Sequence, residues 1–156
     1  KNMKKLISII SLTILLMGFS FGSFAQKDEY DAKLAAKLGA DEYGMKNYVM
    51  AFLLAGDRVQ EYSMEERIEI QKGHMTNISK LTEEGKLIIA GPFINGGEKR
   101  GVFIFDVATK EEAEALTNTD PAIKAGVLKM ELVEWYGSAA LMMLTDIYPK
   151  LQKKDF

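Results

Sequence analysis

Three observations predict a single α+β domain. Apolar, alternating segments are separated by segments with a helical repeat, glycine and proline fall at the junctions between them, and the order reads strand, helix, strand, strand, helix, strand. The chain has 156 residues and a formal net charge of −2. No Lys/Arg cluster lines one face, so nucleic acid is not an expected partner.

The first strand is expected over Asn47 to Ala55. Tyr48, Met50, Phe52 and Leu54 lie on one side and Val49, Ala51 and Leu53 on the other. Such a strand needs cover on both faces. Ser63 followed by Glu66 has capping-box spacing and opens a long helix running to about Glu84, with Gly85 as its stop. Within it Ile70, His74, Ile78 and Leu81 fall on one face, so the only histidine of the chain points where the isoleucines point. A desolvated imidazole needs partners for its ring nitrogens. His74 is therefore either a hydrogen-bonded core group or a reactive one.

Leu87 to Ala90 is expected as the second strand, Gly91-Pro92 and Asn95-Gly96-Gly97 as a turn-rich crossing, and Gly101 to Val107 as the third, antiparallel to the second. Thr109 caps a short helix over Lys110 to Leu116. Asp120-Pro121 opens another helical turn, an aspartate cap with proline at the first position. Leu128 to Tyr136 completes the sheet, giving the ferredoxin-like βαββαβ order. In that order the helices cover one face only, yet strands one, three and four carry apolar residues toward both. Face-to-face packing of two sheets in a homodimer is the expected solution.

Flanking segments complete the plan. Residues 1–25 read as a signal peptide: Lys4-Lys5, an apolar run from Leu6 to Phe24, and Ser23-Phe24-Ala25 as a small-x-small cleavage site. The alternative is a retained anchor, since the run approaches spanning length. Cleavage predicts an exported protein, periplasmic or secreted, with no membrane association afterwards. About 130 residues then remain, enough for one domain with a core. Residues 26–45 form a short helical arm or linker whose helical repeat stops at Gly39, residues 46–138 the domain, and residues 139–156 an apolar C-terminal helical extension.

The run from His74 through Leu81, Gly85, Lys86 to Ala90 and Gly91-Pro92, followed by Asp120-Pro121 and Ala125-Gly126, resembles the YciI-like (YCII-related) family over roughly Lys46 to Ser138. The resemblance implies a small ferredoxin-like domain that pairs into a dimeric α+β barrel, with a histidine and an aspartate as its usual candidates for catalysis. It further implies lyase, isomerase or dehydrohalogenase-type chemistry without metal or nucleotide. Carried over, His74 and Asp120 are the expected catalytic pair, with the carboxylate setting the tautomer of the imidazole.

Backbone donors near Gly91, together with Pro92, Phe93 and Tyr48, are the expected substrate contacts; Phe52 and Trp135 join Tyr48 and Phe93 as aromatics able to wall a cavity or fill the core. Asp106 is a second acidic candidate, with solvation at a strand end as its simpler role. Glu131 and Glu134 fall on opposite strand faces. One histidine and no cysteine give no metal constellation, and no phosphate-binding loop or nucleophile elbow is present, so no cofactor is expected. The expected function is acid–base chemistry on a small cyclic or aromatic molecule. The alternative is a noncatalytic dimer that binds a small ligand or serves a structural role.

Overall fold

The computed structural model describes residues 29–154, and the expected signal segment lies outside them. The chain divides at Tyr30/Asp31, and all that follows concerns the unit from Asp31 onward. Its elements are α1 (Ala32–Leu38), β1 (Met45–Ala55), α2 (Met64–Glu83), β2 (Leu87–Pro92), β3 (Lys99–Phe105), α3 (Lys110–Thr117), α4 (Pro121–Lys124), β4 (Leu128–Ser138) and α5 (Leu144–Leu151). Single 3₁₀ turns at Val59–Glu61 and Ala139–Met143 precede α2 and α5.

The four strands form one antiparallel sheet in the order β2-β3-β1-β4, the arrangement of a ferredoxin-like βαββαβ unit. Val49, Ala51 and Leu53 of β1 pack with Leu81, Leu87, Phe103, Phe105 and Ala113 in one core. Phe105 is fully buried, a contribution of about 1.5–3 kcal/mol for a side chain of that size. The alternate residues of β1 face away from this core, as the two-sided apolar pattern requires.

β1 starts, β3 starts and ends, and β4 ends two residues away from expectation, and two larger differences stand beside these shifts. Gly91-Pro92 belongs to β2 rather than to a turn, because β2 is an edge strand and tolerates a residue with no N–H to donate. The C-terminal extension is not one helix but a 3₁₀ turn leading into α5. This segment packs on β1, β2 and α1, covering part of the sheet from the chain's own end.

Capping fixes how α2 enters the fold. The Ser63 hydroxyl accepts from the Glu66 N–H at 3.2 Å, and the Glu66 carboxylate accepts from the Ser63 N–H at 2.7 Å. At the other end Gly85 adopts φ 68°, and the Lys86 N–H donates to Leu81 O at 2.9 Å, a left-handed stop that closes the last turn. The Ser63 N–H holds the Glu66 carboxyl below its ordinary 4.5, and the Ala108 and Thr109 N–H groups do the same for Glu112 at the start of α3. A carboxylate whose folded pKa is depressed stabilises the fold above its ordinary range and loses that effect as pH falls through the folded value. Glu66→Gln and Glu112→Gln should therefore lower the melting temperature at pH 7, with the difference from wild type shrinking steadily below pH 4.5. A difference independent of pH in melting curves would show that the charge has no part in the caps.

Candidate active site

His74 lies on the inner face of α2, where His74, Asn77 and Leu81 are the buried positions. The buried face of α2 thus adds an amide, Asn77, to the stripe read from the sequence, in which Ile70 and Ile78 are half-buried. Facing it is the turn between α3 and α4. Asp120 caps α4, its Oδ1 accepting from the Ala122 N–H at 2.8 Å with Pro121 in the first helical position. Its other oxygen, Oδ2, lies 2.6 Å from Nδ1 of His74. One carboxylate therefore both starts a helix and holds an imidazole.

The approach of α2 to this turn depends on Gly73. A Cβ there would stand 2.9 Å from Cγ of Pro121, so any side chain would push the Asp120-Pro121 turn off the helix. Asp120 is fully buried and His74 is 6% exposed. The His74 ring stacks on Phe103 of β3, with centroids 6.0 Å apart and planes at 15°. Helix, turn and sheet thus each supply one wall of the pair.

The two ring nitrogens have different surroundings. Nδ1 bonds the carboxylate, which fixes Nδ1–H and leaves the lone pair of the neutral ring on Nε2. Among the described residues Nε2 has no hydrogen-bond partner, and no polar side-chain atom there is both sealed from solvent and unpaired. Nε2 is accordingly reached by solvent. Along the seam between α2 and the Thr119–Pro121 turn runs a surface groove of about 410 Å³, lined by Lys72, Gly73, Asn77, Lys80, Thr119 and Pro121 among others. Neither His74 nor Asp120 lines it. Among the described residues no group of three or more His, Cys, Asp or Glu is arranged to hold a metal ion.

The sequence model of the family described as YCII-related domain matches residues 50–136, a span that holds both His74 and Asp120. The chain belongs to the YCII-related domain family. No curated protein matches it. Among solved structures it is similar to 5-chloro-2-hydroxyhydroquinone dehydrochlorinase from Burkholderia phenoliruptrix AC1100 in complex with 2,5-dihydroxybenzoquinone, at 19% identity and a TM-score of 0.41 over 58% of this chain and 93% of that one.

The other residues singled out in the YCII-related sequence fall in different places. Tyr48 is fully buried on the sheet face opposite His74, with its hydroxyl donating to Ser138 O at 3.1 Å, so it is not positioned to touch a ligand of the pair. Burial pushes its phenol pKa up, and the carboxylate of Asp106 adds to the shift. Gly91 pairs with Val102, next to the Ala90–Phe103 pair that leads to the ring under His74. Pro92 and Phe93 follow at the hairpin end, where Pro92 has no N–H and that of Phe93 is spent on Arg100 O at 2.9 Å. Gly91 stands two residues before Phe93 in the same antiparallel alternation, so its N–H is spent on Val102 within the sheet, and Gly91, Pro92 and Phe93 offer no free backbone donor.

Asp106 is held by Lys46 at 2.7 Å in a half-buried ion pair rather than merely solvated. Trp135 packs beside Tyr48, and Phe52 lies under the ammonium of Lys99, so neither walls a cavity around His74. Glu131 and Glu134 are exposed on opposite faces, aligned with Phe52 and Val49. Two contributors escaped the sequence reading, Phe103 and Asn77. The first has no signal in an apolar strand; the second had one, an amide at helical spacing from His74.

Proposed function

We propose that this YCII-related domain is an acid–base enzyme acting on a small cyclic or aromatic organic molecule, with Nε2 of His74 as the group that moves the proton. The observation that carries the reading is the asymmetry of the ring, one nitrogen bound to a buried carboxylate and the other open. Nε2 takes a proton from an acidified C–H or O–H of the substrate, and the positive charge that grows on the imidazole lies against the Asp120 carboxylate. The electron pair left on the substrate shifts to expel a leaving group or to accept the proton at a second atom, and Nε2–H returns it. Gly91, with Pro92 and Phe93, is the candidate surface for orienting the substrate. The direct test is solvent deuterium exchange: cyclic acids and phenols with an acidic C–H should exchange faster with the protein than with buffer.

A second reading rests on the burial of the pair. A carboxylate with no exposure and a ring with 6% also suit a structural tie under a helix in a noncatalytic binding module. That reading gains if no compound of this class exchanges or binds.

The proposal includes a homodimer. On the sheet face away from the helices, Val133 is 40% and Trp135 36% exposed beside half-buried Met50, Phe52, Leu54 and Val102. An apolar surface of this kind supports packing against a second copy. Val133→Asp should convert a dimer into a monomer at micromolar concentration in sedimentation equilibrium. A wild-type chain that sediments as a monomer would remove the dimer from the account. Export is part of the same reading, supported by Lys4-Lys5, the apolar run and Ser23-Phe24-Ala25. N-terminal sequencing of the protein from its native host is expected to begin at Gln26, and a start upstream of Ala25 would contradict it.

A further inference from the structure

We infer that Asn77 and Thr119 form a positioning clamp for Asp120, holding its carboxylate on Nδ1 of His74; the inference rests on the acid–base reading of that pair. Asn77 follows His74 by one helical turn and is only 9% exposed, although it is an amide. Its Oδ1 lies 2.9 Å from Oγ1 of Thr119, the residue immediately before Asp120. His74–Asp120 and Asn77–Thr119 are thus two neighbouring rungs between successive turns of α2 and one dipeptide.

A single bond leaves the turn free to pivot about it. Two bonds from consecutive residues fix both the distance and the rotation of the turn, and Gly73 against Pro121 sets how closely it seats. The Thr119 hydroxyl also stands 2.7 Å from Leu116 O, with one proton for two acceptors. The rung survives either choice, because an Asn77 amide turned about its Cβ–Cγ bond donates its NH₂ to the hydroxyl lone pair. The turn itself is already secured by the Asp120 cap and by the Tyr62 hydroxyl donating to Ala125 O at 3.0 Å. A buried amide on α2 adds little to holding it that an apolar residue would not, since desolvation offsets much of the bond. What it adds is orientation next to the reacting ring.

The test is hydrogen exchange at the His74 ring. Thr119→Val removes the hydroxyl at nearly constant shape, and Asn77→Leu removes the amide. Loss of one hydrogen bond of ordinary strength should speed exchange of the Nδ1 proton about fivefold in each variant, with backbone exchange in β1 unchanged and with Thr119→Ser at the wild-type rate. Thr119 is exposed, so Thr119→Val carries the test if Asn77→Leu does not fold. Unchanged ring exchange in a folded variant, with a wild-type ring protonated at Nδ1, overturns the clamp alone. A wild-type neutral ring protonated at Nε2 overturns the acid–base reading and the clamp with it.

Discussion

Asp120→Ala is expected to lower the free energy of unfolding by about 3 kcal/mol. The hydrogen bond from a buried imidazole to a carboxylate contributes about 1.5–3 kcal/mol, and the loss of an N-cap adds about 1 kcal/mol. Both parts count nearly in full, because Asp120 has no exposure and His74 has 6%. Urea unfolding at pH 7 measures the difference. A loss under 1 kcal/mol would mean that the turn relaxes and the pair contributes little to folding. Asp120→Asn should cost less, since its one carbonyl oxygen can still cap α4 through Ala122.

His74→Gln is expected to reduce proton transfer by about 10²–10⁴-fold, the range for losing a positioned acid–base group. The folded state should persist, because the glutamine amide can donate to Asp120 over a similar reach. Deuterium incorporation into the responsive phenol or cyclic acid, followed by proton NMR, gives the rate without the full reaction being known. Equal rates for wild type and variant would assign the exchange to another group and leave His74 as a structural residue.

Much of this fold is local and was therefore legible. Ser63 with Glu66 and Thr109 with Glu112 form capping boxes inside single stretches of chain, and Gly85 marks the stop of α2 where it stands. The succession of strands and helices along the chain follows from alternation, helical spacing and turn chemistry. His74 was legible as a buried ring and Asp120 as a cap, since each role is written in its neighbours. Their contact closes across 46 positions and needs the helix, the turn and the sheet in place.

Residues whose role depends on such closure were not legible. Phe103 reads as any strand phenylalanine until α2 lies over it. Tyr48 reads as a candidate for a ligand wall, and its burial against Ser138 depends on where the end of β4 returns. Pro92 reads as a turn because sequence does not say that β2 is an edge.

The claim on which all else depends is that Asp120 fixes the lone pair of His74 on Nε2, and nitrogen-15 NMR of the one histidine ring tests it most directly. In the neutral ring of the wild type, the proton should be found on Nδ1 and the bare nitrogen at Nε2. In Asp120→Asn the capping oxygen stays with Ala122, the amide NH₂ faces Nδ1, and the proton should move to Nε2. A neutral wild-type ring protonated at Nε2, or one whose tautomer is indifferent to Asp120→Asn, would contradict the account.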